Sequence, residues 1–187
     1  MIHKEGIGYP MENPIWSYFF RPPEAKMANI ELMKELPVFE SMTTGELVQI
    51  ERVLHERQFS PGEVVFNEGE PGAGLYIIKK GEIAIRKKIA GGDDIELAVI
   101  PERSFFGELA LLDETPRSAS ACAVSQAILY GFSKPDLEHL LERNQKLGVK
   151  IILNLSKLVT RRLIKSNENM EMVQAELNRY KNKEVKG

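Results

Sequence analysis

Cysteine is almost missing from this chain of 187 residues: Cys122 stands alone. That excludes an internal disulfide and a metal cluster held by thiolates. Cys122 sits in a strand-like stretch, where a small buried hydrophobe is expected. His3, His55 and His139 are scattered and have no metal-ligand spacing. There is no G-x-S-x-G, no P-loop and no H-E-x-x-H, so catalysis has no evident home. Net charge is only −2, which gives no basic field to draw nucleic acid or an anionic membrane. No apolar run is long enough to span a bilayer. The start, MIHKEGIGYPMENP, has no apolar signal core. The expectation is a cytoplasmic, non-enzymatic protein without a cofactor, direct nucleic-acid binding or a membrane anchor.

Three segments follow from the patterning. Residues 1–28 are rich in proline and carry Trp16, Tyr18, Phe19 and Phe20, which predicts an irregular arm packed on its own domain. Residues 29–144 form the second segment. It opens with a short helix over 30–36, then a helix that Thr43-x-x-Glu46 caps and that sets Leu47, Ile50 and Leu54 on one face. From Gln58 the period changes. β-rich runs at 64–66, 75–78, 83–86, 95–100, 118–124 and 127–132 alternate with turns such as Pro61-Gly62, Lys80-Gly81 and Gly91-Gly92-Asp93-Asp94. Short strands at this spacing predict an antiparallel roll or barrel. Arg86 to Lys88 reads as a solvated strand end. Ser133-x-x-Asp136 then caps a helix bearing Leu137, Leu140 and Leu141.

The third segment, 145–187, is expected to be one long helix over about 146–182. A heptad places Val149, Ser156, Leu163, Met170 and Leu177 at a, with Ile152, Val159, Ser166, Val173 and Tyr180 at d. Eight of these ten positions are apolar, enough for a coiled-coil seam with a second copy. Ile151, Leu153, Leu155 and Leu158 are apolar off the seam, so the first half is expected to be buried on two sides. The fold class is therefore α+β: an antiparallel, jelly-roll-like β-roll flanked by N-terminal helices and a long C-terminal dimerisation helix.

The segment FFGELALLDETPRSASACA, 105–123, holds a lone glutamate and a lone arginine. Gly107 permits close ligand approach, and Leu109 to Leu112 can form one helical turn whose first N–H groups favour an anion. Arg117 can return a planar pair of donors to the same point, and Ser118 adds a hydroxyl. Glu108 repels a phosphate but suits a sugar hydroxyl beside it. A ribose with a compact 3',5'-cyclic phosphate meets both demands.

FGELALLDETPRSASA resembles the phosphate-binding cassette of cyclic-nucleotide-binding domains, roughly F-G-E-[LI]-A-L-x-x-x-x-P-R-x-A. The likeness extends over about 36–167, and SPGEVVFNEGEPGAGLYIIKKGEIAI looks like the family's first roll strands, with glycines Gly62, Gly69 and Gly81. The resemblance implies that Glu108 holds the ribose 2'-OH. It also implies that Gly107, the N–H groups of Leu109 and Ala110, and Arg117, Ser118 and Ala119 surround the cyclic phosphate. Ile85, Leu97 and Ile100 are expected to wall the base. LSKLVTRRLIKSNENMEMV is similar to the dimerising helix of catabolite-activator-type regulators, whose base-contacting hydroxyl residues match Ser166 and Asn167 here. Asn167 departs from that pattern, which leaves cAMP against cGMP open. The chain as given has no helix-turn-helix after the long helix. The expectation is a homodimeric cyclic-nucleotide sensor or regulatory subunit, cAMP ahead of cGMP, acting on an unknown output protein. The alternative is a nucleotide-free roll that serves as a dimerisation adaptor.

Overall fold

The computed structural model describes residues 23–184 apart from 90, 91 and 93. The aromatic arm before residue 23 and part of the Gly91 to Asp94 turn lie outside them. The helices are α1 (Pro23–Glu35), α2 (Thr44–Glu51), α3 (Leu109–Leu112), α4 (Lys134–Arg143) and α5 (Gln145–Glu184), with a 3-10 turn at Pro37–Phe39. The strands are β1 (His55–Phe59), β2 (Val64–Phe66), β3 (Gly74–Lys80), β4 (Ile83–Lys87), β5 (Ile95–Ile100), β6 (Phe105–Phe106), β7 (Ser120–Ala123) and β8 (Ala127–Ser133). They form two four-stranded antiparallel sheets, β1-β8-β3-β6 and β2-β7-β4-β5. This is the expected roll.

Strand alternation divides the core in two. On β3 and β8, Leu75, Ile77, Tyr130 and Phe132 face the helices, whereas Ile78, Leu129 and Ala127 face the other sheet. On β7, Ala121 and Ala123 turn inward, and Cys122 lies half-buried on the opposite face. Small alanines there leave room inside the roll. A buried polar chain ties α1 to the sheet: the Tyr130 hydroxyl donates to Asn29 Oδ1 at 2.7 Å, and Asn29 Nδ2 donates to Glu51 at 3.1 Å.

The structure revises several expectations. α1 begins at Pro23, inside the stretch read as an irregular arm. Proline at the first helical position lacks only an N–H that would have no partner there anyway. β1, HERQF, was not anticipated: it is polar and exposed along four of its five positions because it is a sheet edge beside β8. β6 is two residues long and gives no periodic signal. Both expected capping boxes form, at Thr43 with Glu46 and at Ser133 with Asp136.

α5 has 40 residues and is therefore about 60 Å long. Leu147, Ile151 and Leu155 are buried against the helical layer, but Val149 and Leu153 are about half exposed. Its first half is thus covered on one side by its own chain, not two. Lys150 Nζ pairs with Glu46 at 2.7 Å, and Asn154 Nδ2 donates to the carbonyls of Val38 and Glu40 at 3.2 and 2.9 Å. From Thr160 to Arg179 every residue is exposed.

Gly148 lets α5 approach α4 closely: a Cβ there would lie 2.5 Å from Leu141 Cδ2 and 3.0 Å from Leu141 Cα. Gly148→Val is expected to destabilise the fold by about 1–3 kcal/mol through overpacking. An unchanged urea midpoint would mean that the two helices part without cost.

Candidate functional site

A cavity of about 330 Å³ opens where the cassette, the inner face of β4–β5 and α5 meet. Its floor is built around Arg117. The backbone of that residue is pinned by the turn before β3: its N–H donates to the Glu70 carbonyl at 2.8 Å, and Gly69 N–H donates to its carbonyl at 2.9 Å. The side chain then runs inward. Nη2 donates to the Gly74 carbonyl at 2.8 Å and Nη1 to the Gly107 carbonyl at 3.0 Å. The guanidinium carbon stands 4.0 Å from the centre of the Phe66 ring, a cation–π contact. Only 8% of the residue is exposed, and Nε has no hydrogen-bond partner.

A buried cation of this kind is costly without a facing anion. Burial pushes the Arg117 guanidinium below its ordinary pKa, and Tyr76, Glu108 and Glu70 pull it back up. Gly107 makes the arrangement possible. Its φ is +75°, and a Cβ there would meet Arg117 Nη1 at 2.7 Å. The following turn, α3, turns its first residues toward the same cavity, although the Ala110 N–H already donates a long bond of 3.3 Å to the Gly107 carbonyl.

Glu108 is 4% exposed and is taken by Arg162, 54 residues away on α5. Arg162 also lies 5.5 Å from the Phe105 ring centre and lines the cavity. Among the described residues, Arg162 is the part of α5 that lines the cavity.

Of the residues singled out in the sequence, the cavity is lined by Gly107, Glu108, Leu109, Ala110, Arg117, Ser118, Ala119, Ile85 and Ile100. Leu97 lies outside it and is 51% exposed. Leu97 and Ile100 are three apart on β5, so they point to opposite faces, and Ala98, opposite Ile85 in register, takes the wall position. Ser166 and Asn167 are exposed and line nothing in the single chain, because α5 reaches the cavity one turn earlier, at Arg162. Phe66, Phe105, Phe106 and Arg162 were not anticipated as lining. Only parity with Ile100 could have found Ala98. The pairing of Arg162 with Glu108 is tertiary and leaves no local trace. Among the described residues no cluster of His, Cys, Asp and Glu could hold a metal ion, and no helix is long and apolar enough to cross a membrane.

Residues 56–144 match the family model described as the cyclic nucleotide-binding domain. The chain is 36% identical over 125 residues to the cAMP-dependent protein kinase regulatory subunit of Hypocrea atroviridis, a match covering 63% of this chain and 26% of that protein. It is 29% identical over 144 residues to the Cyclic AMP receptor protein of Thermus thermophilus, covering 77% of this chain and 65% of that one. The crystal structure of a cyclic nucleotide-binding domain from Methylobacillus flagellatus aligns with a TM-score of 0.69 at 25% identity, over 78% of this chain and 82% of that one. The chain therefore spans only about a quarter of the kinase subunit's length and just under two thirds of the receptor's.

Gly107→Ala is expected to destabilise the protein by about 1–2 kcal/mol through its left-handed backbone alone, and further by displacing Arg117. Thermal unfolding measures this, and an unchanged midpoint would mean that the cassette backbone adapts.

Proposed function

From the membership of residues 56–144 in the cyclic nucleotide-binding domain family, we propose that the chain binds a 3',5'-cyclic nucleotide, cAMP ahead of cGMP. In this proposal it acts as a dimeric sensor or regulatory subunit, not as an enzyme. The observation that carries this is the buried Arg117 guanidinium with its unpartnered Nε, beside a buried carboxylate in one cavity. A cyclic phosphate at Arg117 supplies the missing anion, and the adjoining ribose hydroxyl donates to Glu108. Ile85, Ala98 and Ile100 offer the base an apolar wall with no fixed polar demand. Ser118, exposed at the rim, is the group that a guanine amino substituent could use, so cGMP is the natural competitor.

Arg162 makes the site sensitive to the helix. A sugar hydroxyl arriving at Glu108 must share that carboxylate with Arg162 or displace it. A ligand shifts the helix only through such a difference in affinity between the two arrangements. Ser166 and Asn167 sit one turn past Arg162, so they reach a bound base only if α5 shifts or a second copy contributes them.

Dimerisation is proposed on the α5 seam. Val149, Leu163, Met170, Val173 and Leu177 are 46–65% exposed and recur at coiled-coil spacing. The side chain of Tyr180 lies outside the described residues. An adaptor role without nucleotide remains as the second reading, favoured by the fact that Arg117 and Glu108 already have protein partners.

Arg117→Ala is expected to weaken cAMP binding about ten- to a hundredfold, since charge-assisted hydrogen bonds contribute roughly 1.5–3 kcal/mol. Calorimetry giving equal affinity would remove the phosphate from Arg117. Glu108→Gln should cost less, and 2'-deoxy-cAMP should lose most of that difference. Leu163→Asp combined with Val173→Asp should yield monomers by light scattering, whereas a wild type that is already monomeric at high concentration would end the coiled-coil proposal.

A further inference from the structure

On the helical side of the molecule, α2 and α4 leave a groove of about 500 Å³ between them, which shares no residue with the nucleotide cavity. Its base is apolar: Leu140 is buried, and Val48 and Val53 are half-buried. Its sides carry Arg52, His139 and Arg143, all exposed. Gly45, at one end of α2, has nearly open space where a side chain would project.

The residues lining the groove include two arginines and a histidine and no carboxylate. Acidic residues outnumber basic ones, 27 against 25. Among the described residues Lys34, Lys79, Arg86, Arg103, Lys134, Lys150 and Arg162 each have a carboxylate partner. Arg52, His139 and Arg143 have none, and neither do Arg57, Lys80, Arg161 and Lys165. The carboxylates nearest in sequence on α2 are engaged elsewhere, Glu46 by Lys150 and Glu51 with Asn29. The groove's rim is also held in place, because Asn144 Nδ2 donates to Gln49 at 3.1 Å across it.

We propose that this groove docks an acidic amphipathic helix of a partner protein. Apolar side chains at i and i+4 of that helix rest on Val48, Val53 and Leu140, and its flanking carboxylates take Arg52 and Arg143. α2 has eight residues, so about two turns of a partner helix match its length. The apolar base is what favours a peptide over nucleic acid. A duplex is tracked by a run of cations along its phosphates, not by two arginines above valines and a leucine. The proposal does not depend on nucleotide binding. It gives a sensor of this kind a surface for its output.

The test uses the full chain with its Val and Leu methyl groups labelled for NMR. It is titrated with a synthetic helical peptide bearing Leu at i and i+4 and flanking Glu, with the same peptide carrying Lys for Glu, and with a short DNA duplex. The Glu peptide should shift the Val48, Val53 and Leu140 methyl signals. Arg52→Glu combined with Arg143→Glu should weaken it at least about tenfold, and the Lys peptide should bind that variant better than it binds the wild type. The variant's thermal unfolding midpoint, compared with the wild type's, serves as the control for folding. The proposal is overturned if the Glu peptide shifts none of these signals or binds both proteins alike. It is equally overturned if the DNA duplex takes the groove in preference, or if the same signals move on concentrating the protein alone, which would make a second copy the occupant.

Discussion

A guanidinium buried inside a β-roll is the constraint around which the ligand side of this molecule is arranged. Arg117 is held by two carbonyls, by the face of Phe66 and by backbone hydrogen bonds to the turn before β3. Each of those partners comes from a different part of the chain. Gly74 opens β3, Gly107 follows β6, and Phe66 ends β2. The roll must close correctly for the cation to be satisfied, and it still leaves Nε unanswered. Buried donors in native proteins are seldom left so. An anion in the cavity would remove the deficit, which is the physical ground for the phosphate proposed there.

The second relation is between the roll and α5. The first half of that helix is anchored by Leu147, Ile151 and Leu155 and by the polar contacts of Lys150 and Asn154. From Thr160 to Arg179 every residue is exposed, and Arg162 reaches back to Glu108. One residue thus joins the ligand cavity to an exposed apolar seam.

What the sequence disclosed, and what it hid, divides along physical lines. Val64 to Phe66, Leu75 to Ile78 and Ala127 to Phe132 are apolar runs bounded by turn residues, so their strands were evident. The two capping boxes are local chemistry and were equally evident. β1 was hidden because an exposed edge strand needs no apolar face. The cassette stood out because Gly107, Glu108 and Arg117 are close in sequence as well as in space. Leu97 was misplaced through neglect of strand parity, a rule that the sequence alone could have enforced. Arg162 was not accessible in that way: it meets Glu108 only after 54 intervening residues have folded. The exposure of Val149 and Leu153 likewise depends on which side of α5 the helical layer happens to cover.

The claim that Arg117 holds a cyclic phosphate is tested most directly by calorimetry of the full chain with three ligands: 3',5'-cAMP, 5'-AMP and adenosine. The account predicts that cAMP binds with the highest affinity, that 5'-AMP binds more weakly because its phosphate is no longer held beside the 2'-OH by the ring, and that adenosine binds weakest of all. Adenosine binding as tightly as cAMP, or no heat with any of the three, would contradict it.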